Sequence, residues 1–150
     1  MLASPDFAEF AAEVHPRLRR ALVPARGMDG AADAAAEAMA YAWEHWDRVK
    51  TMEHPLAYLY RVGQSKTRSP KRPHLPAPES VGVPDLEPKL IPALLSLPEQ
   101  QRTVVWLIHA CQWTHVEVAD ALGIRPSSVA THAQRAMTKL RSILEVDCRA

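Results

Sequence analysis

Residues 97–141 read LPEQQRTVVWLIHACQWTHVEVADALGIRPSSVATHAQRAMTKLR, and the second half of this stretch decides the fold: two helices around one tight turn. Thr114 and Glu117 form a T-x-x-E capping box that opens a short helix, with Val116, Val118, Ala119 and Leu122 as its apolar stripe. Gly123 then stops the helix, because glycine takes the left-handed conformation that a helix C-terminus needs. Pro126 restarts it, at a position where a first turn tolerates a missing N–H. In the second helix Val129, Ala133, Ala136 and Leu140 recur at helical spacing. Ser127, Ser128, Ala130, Thr131, Gln134, Arg135, Lys139 and Arg141 are left outward. Small outward side chains permit close approach to a major groove and long cations reach phosphates, so nucleic acid is the leading candidate partner. An ordinary helical hairpin with a solvated charged face shares the periodicity, but not the whole set of cap, glycine stop and proline restart.

Outward from this hairpin, composition divides the chain. Of 13 prolines, seven lie between Pro70 and Pro92, and the segment SPKRPHLPAPESVGVPDLEP has neither helical nor strand periodicity. It reads as a semi-rigid tether joining two units, each expected to bury its own core. The expected organisation is all-α: an N-terminal three-helix unit over 1–69, a Pro-rich linker over 70–92 and a helix-turn-helix unit over 93–150.

In the first unit Ser4, Pro5 and Asp6 signal a helix start, and Phe7, Phe10, Ala11, Val14, Leu18 and Leu22 form an apolar stripe ending near Pro24. A turn over Gly27–Gly30 precedes an alanine-rich helix whose buried face is expected to hold Met39, Ala42, Trp43 and Trp46. Asp33, Glu37 and Glu44 share its other side, as solvated charge or as a docking surface for a basic partner. Pro55 starts a third helix carrying Tyr58 and Tyr60, either stacking platforms for unpaired bases or core residues.

The formal net charge is only +1, so overall attraction to nucleic acid is weak and the distribution matters more. Met1–Lys50 holds six Lys or Arg against eight Asp or Glu, giving −2, whereas Thr51–Leu75 holds five against one, giving +4. Arg61, Lys66, Arg68, Lys71 and Arg72 follow one another without an intervening acid, a run that suits backbone phosphates or a merely solvated tether.

Nothing in the sequence carries catalysis. Walker, GxSxG and dinucleotide-binding signatures are missing, and no cofactor is implied. Cys111 and Cys148 lack CxxC partners and read as reduced thiols, while His109 and His115 beside Cys111 fall short of a zinc ligand set. No apolar run reaches membrane-spanning length, so no membrane insertion and a cytoplasmic location are expected.

Both units resemble known modules. HPRLRRAL, AEAMAYAWEHWDRV and HPLAYLYRV are similar to region 2 of the extracytoplasmic-function sigma factors. LPEQQRTVVWL, THVEVADALGI and SSVATHAQRAMTKLR resemble region 4 of the same family, in the same order and across an unmatched linker. The resemblance implies a non-enzymatic bacterial initiation factor. Such a factor binds core RNA polymerase, recognises minus-10 and minus-35 promoter DNA, helps to open it, and can be held by an anti-sigma factor. By position, Asp33, Glu37, Tyr41 and Glu44 correspond to the polymerase contact. Tyr58, Tyr60, Arg61, Lys66 and Arg68 correspond to the minus-10 and melting surface. Arg125, Ser127, Ser128, Thr131, His132, Arg135 and Lys139 correspond to the minus-35 reader. The chain departs from the family pattern at Ala36, Ser65, Ala130 and Arg125, and Pro70 interrupts the expected minus-10 helix.

Two other readings share parts of the pattern. VATHAQRAMTKL also resembles the output helix of LuxR-like regulators, although the first unit is neither a receiver nor a ligand-binding domain. A degenerate sigma paralogue without promoter-melting activity fits the interrupted third helix.

Overall fold

The computed structural model describes residues 5–66 and 89–149, and all regular structure among them is helical. Arg68, Pro70 and the expected linker up to residue 88 lie outside the described residues, as do the side chains of Lys66 and Cys148.

Helix α1 (Pro5–Glu44) is one run where the sequence predicts two helices, and its two arms meet at Gly27, whose φ of 75° and ψ of 175° are non-helical. A left-handed φ is open to glycine at no steric cost, so the break needs a single residue and not a four-residue turn. Pro16 and Pro24 lie within the first arm. A short turn, α2 (Trp46–Val49), follows, and α3 (Pro55–Lys66) begins at Pro55 as the sequence predicts. The second arm of α1 buries Ala31, Ala34, Ala35, Ala38 and Ala42, a stripe of small side chains that lets α3 approach closely. Gly63 completes this fit, since a Cβ there would lie 3.0 Å from Leu22 Cδ1 and 3.4 Å from the Ala34 carbonyl oxygen. Trp43 departs from its expected burial: it is 38 % exposed, tilted against Phe7 at 5.0 Å, while Trp46 packs on Phe7 and Phe10. The alanines already fill the face that Trp43 was expected to share.

The C-terminal unit begins with α4 (Leu90–Leu95), so the last residues assigned to the linker are helical. Helix α5 (Glu99–Val105) runs into a π-helical turn (Trp106–Ala110), and Gln112, with a φ of 60°, redirects the chain. Buried Arg102 ties the α4–α5 corner by donating from Nη1 to the carbonyls of Leu95 and Leu97, both at 3.2 Å. Then come α6 (His115–Leu122) and α7 (Pro126–Arg149).

The cores are not divided at the linker as the sequence led us to expect. One cluster runs from Val14, Leu18 and Leu22 through Leu59 and Tyr60 to Leu107, Trp113, Val118 and Val129, joining the two halves. A second, smaller cluster of Ala93, Leu94, Leu97, Val105, Ala136 and Leu140 packs α4 and α5 against α7.

Candidate nucleic-acid interface

The hairpin of α6 and α7 is built as its residues dictate. Thr114 Oγ1 accepts the Glu117 N–H at 3.1 Å and Glu117 Oε1 accepts the Thr114 N–H at 3.0 Å, so the capping box is closed in both directions. Gly123 takes a φ of 69°, and the Ile124 N–H bonds the Ala119 carbonyl at 3.0 Å, terminating α6. Val118, Ala119 and Ala121 face inward, whereas Val116, expected in that stripe, is 49 % exposed. In an eight-residue helix, rotation by a fraction of a turn moves one edge residue out and lets Ala121 take its place.

On α7 Val129, Ala136 and Leu140 are buried, and Ser127, Thr131, Arg135 and Lys139 are exposed, with Ser128 half-buried at the edge and Arg125 exposed just before the helix begins. Thr131 Oγ1 donates back to the Ser127 carbonyl at 3.0 Å. His132, placed by resemblance on the same reader, is half-buried and turns Nδ1 inward. Its helical position beside Val129 and Ala136 puts it on the core side of α7.

In the N-terminal unit Asp33, Glu37 and Glu44 are exposed along one side of α1. Tyr41, half-buried on the same arm, is bonded to α2 and α3. Its hydroxyl lies 2.9 Å from that of Tyr58, and Arg48 Nη2 donates to both phenol oxygens, to Tyr41 at 2.7 Å, while the guanidinium sits 5.5 Å from the Tyr58 ring centre. His45 stacks on Tyr41 at 4.1 Å. The hydrogen bond to Tyr58 raises the Tyr41 pKa above that of an ordinary phenol. Arg48 thus joins a residue assigned to polymerase with one assigned to minus-10 DNA. Its spacing of seven from Tyr41 was the available sequence signal.

Tyr60 and Arg61 part company. Tyr60 is 3 % exposed and packs edge-on against Trp113 at 5.6 Å, and burial pushes its phenol up to about 12. Arg61 is exposed but engaged: Nη2 donates to the Asp120 carbonyl and Nε to the Ala121 carbonyl at 3.3 Å. The Lys66 side chain and Arg68 lie outside the described residues, so the basic run is represented only by its first member.

A cleft of about 380 Å³ is lined by Tyr60, Arg61, Gln64, Ser65, Ala121 and Leu122, at the seam between α3 and α6. No group of three His, Cys, Asp or Glu side chains among the described residues is arranged to hold a metal ion. Cys111 is buried, which raises its thiol pKa to about 12 and keeps it protonated. No helix among the described residues is long and apolar enough to cross a membrane.

Residues 89–140 match the family model for sigma-70, region 4, a span that begins at the N-terminal edge of α4 and reaches deep into α7. No curated protein sequence matches the chain. The sigma factor RpoE, solved in complex with the anti-sigma factor NepR from Bartonella quintana, shares the fold at a TM-score of 0.70. The two are 21% identical, over 96% of this chain and 99% of that one. CnrH, solved in complex with the cytosolic domain of CnrY, shares it at a TM-score of 0.65 and 20% identity, over 94% of this chain and 88% of that one. Over residues 89–140 the C-terminal unit is therefore similar to sigma-70 region 4, and it is built as a helix-turn-helix. The whole described chain has the sigma-factor fold, and the resemblance drawn from the sequence is borne out.

Proposed function

We propose that this chain is a transcription initiation factor of the extracytoplasmic-function type, binding core RNA polymerase and directing it to promoters through minus-10 and minus-35 elements. The observation that carries this reading is the region 4 match over a hairpin whose reading face is open to solvent. Within it, Arg125, Ser127, Ser128 and Thr131 approach base edges at the N-terminal end of α7, and Arg135 and Lys139 approach phosphates. His132 supports the helix from its inner side and does not read bases. The exposed acids Asp33, Glu37 and Glu44, with Tyr41 beside them, form the polymerase contact. Tyr58 and Arg61, with Lys66 and Arg68, serve the minus-10 element, while Tyr60 shapes that surface from within. An anti-sigma factor is a further proposed partner, since both solved neighbours are captured with a binding protein.

The test is a pull-down of core polymerase by the full chain. Asp33→Lys and Glu37→Lys put positive charge where acids face a basic partner, and retention should fall at least ten-fold with helix content unchanged. Failure of the wild-type chain to retain polymerase while it binds DNA would favour a free-standing regulator.

A further inference from the structure

We propose that Arg48 is a positioning residue for minus-10 contact: its guanidinium clamps the Tyr58 phenol to Tyr41 and so fixes the one aromatic ring of α3 that stays open to DNA; this rests on the sigma-factor reading above. Helix α3 carries two aromatic residues, and Tyr60 is buried, which leaves the half-buried Tyr58. A platform on which a base stacks works best when its own rotamer is locked by neighbours that do not themselves touch the ligand. Arg48 supplies that lock from two directions. Its Nη2 donates to both phenol oxygens, which lie 2.9 Å from each other, and its guanidinium sits 5.5 Å from the Tyr58 ring centre. The hydroxyl end and the ring of Tyr58 are thus held by one planar cation.

The clamp stands on a firm base. Val49, next to Arg48, is fully buried, and the Arg48 carbonyl accepts both the Thr51 hydroxyl at 2.8 Å and the Thr51 N–H at 3.3 Å. The adjoining acid Asp47 pairs with Lys50 at 3.2 Å, which leaves the Arg48 guanidinium to the phenols. On the other side Tyr41 is stacked by His45 at 4.1 Å, and helical spacing sets it between Glu37 and Glu44, the acids proposed to meet polymerase. Tyr58 is therefore referenced to the arm that docks on polymerase, through a residue that belongs to neither proposed surface. All of these residues lie in the N-terminal unit.

The experiment compares the full chain with Arg48→Gln, Tyr58→Phe and the double variant, each reconstituted with core polymerase on promoter fragments that the wild-type chain opens. Opening is read from permanganate reactivity of unpaired thymines, and polymerase binding from a pull-down. At unchanged helix content, Arg48→Gln should retain polymerase to within about two-fold of wild type and open about five-fold less promoter, the effect of one partly solvated hydrogen bond to a charged group. The double variant should lose less than about two-fold beyond Tyr58→Phe, because the hydroxyl on which Arg48 acts is already gone. The salt slope of promoter binding should match that of wild type, since a positioning residue neutralises no phosphate. Opening equal to wild type, or an additive loss in the double variant, would overturn the positioning role. A salt slope lower by about one unit would overturn it by making Arg48 a phosphate contact, and an equal loss of polymerase retention and opening would do so by making it a polymerase contact. Failure of the wild-type chain to bind polymerase would overturn the sigma-factor reading, and this proposal with it.

Discussion

Trp106 donates its indole N–H to the carbonyl oxygen of Arg20, 3.0 Å away and 86 residues earlier in the chain. This bond satisfies the one polar atom of a large buried ring and fixes the C-terminal unit on the first arm of α1.

Gly123 sets the angle between α6 and α7. Its φ of 69° is left-handed, and a Cβ there meets only Arg61 Nη2 at 3.8 Å, so the penalty of substitution lies in the backbone. Gly123→Ala should cost about 1–2 kcal/mol in denaturant unfolding, and Gly123→Asn should cost less. Equal stability of Gly123→Ala and wild type would contradict the left-handed cap.

The two residues of the capping box should separate by substitution. Thr114→Ala removes the acceptor for the Glu117 N–H and should destabilise by about 1 kcal/mol. Glu117→Gln keeps an oxygen for the Thr114 N–H but loses the charge facing Arg17. That pair is partly solvated, so the loss should stay below about 1 kcal/mol and shrink in high salt. Thermal melts of both variants at two salt concentrations measure the difference.

Alkali should unfold the protein through two buried acids. Burial pushes Cys111 from 9.0 and Tyr60 from 10.0 each up to about 12, so the unfolded chain releases these protons first. Stability from these groups is complete below pH 9, declines from there for the thiol and from pH 10 for the phenol, and is lost as pH rises through about 12. Tyr60→Phe should flatten the dependence above pH 10 by about one proton, read from unfolding free energies at several pH values. An unchanged slope would mean that Tyr60 ionises freely in the native chain.

The local structure of the hairpin was legible because its signals are short-range: Thr114 with Glu117, Gly123 and Pro126 each act within a turn of themselves. The outer face of α7 followed from period alone, and so did the exposure of Asp33 and Glu37. What periodicity could not reveal is how the halves meet. Tyr60 and Arg61 look like an aromatic beside a cation ready for nucleic acid, yet their surroundings come from Trp113 and Asp120, about 50 to 60 residues away. His132 lies one residue past a surface position, where a small rotation decides between groove and core. Val116 and Trp43 moved outward because neighbouring alanines filled the interior without them.

DNA contact on α7 should divide by type. On the proposed function, Arg135→Ala and Lys139→Ala should weaken binding to any sequence and reduce the salt slope by about one unit each, because each would remove a phosphate contact. Substitutions at Ser127 or Ser128 should shift sequence preference with the salt slope unchanged, read by titration of a promoter fragment and a scrambled one. A sequence-independent effect at the serines would place them off the groove.

The most direct measurement of the central claim is promoter-directed transcription by core RNA polymerase reconstituted with the full chain, over a library of promoter fragments. The sigma-factor account predicts that wild-type protein starts transcripts from a defined subset of fragments. It also predicts that Asp33→Lys abolishes initiation through lost polymerase binding, while Arg135→Ala weakens it without changing the start site. Specific DNA binding by the chain with no initiation from any fragment, and no retention of polymerase, would contradict the account.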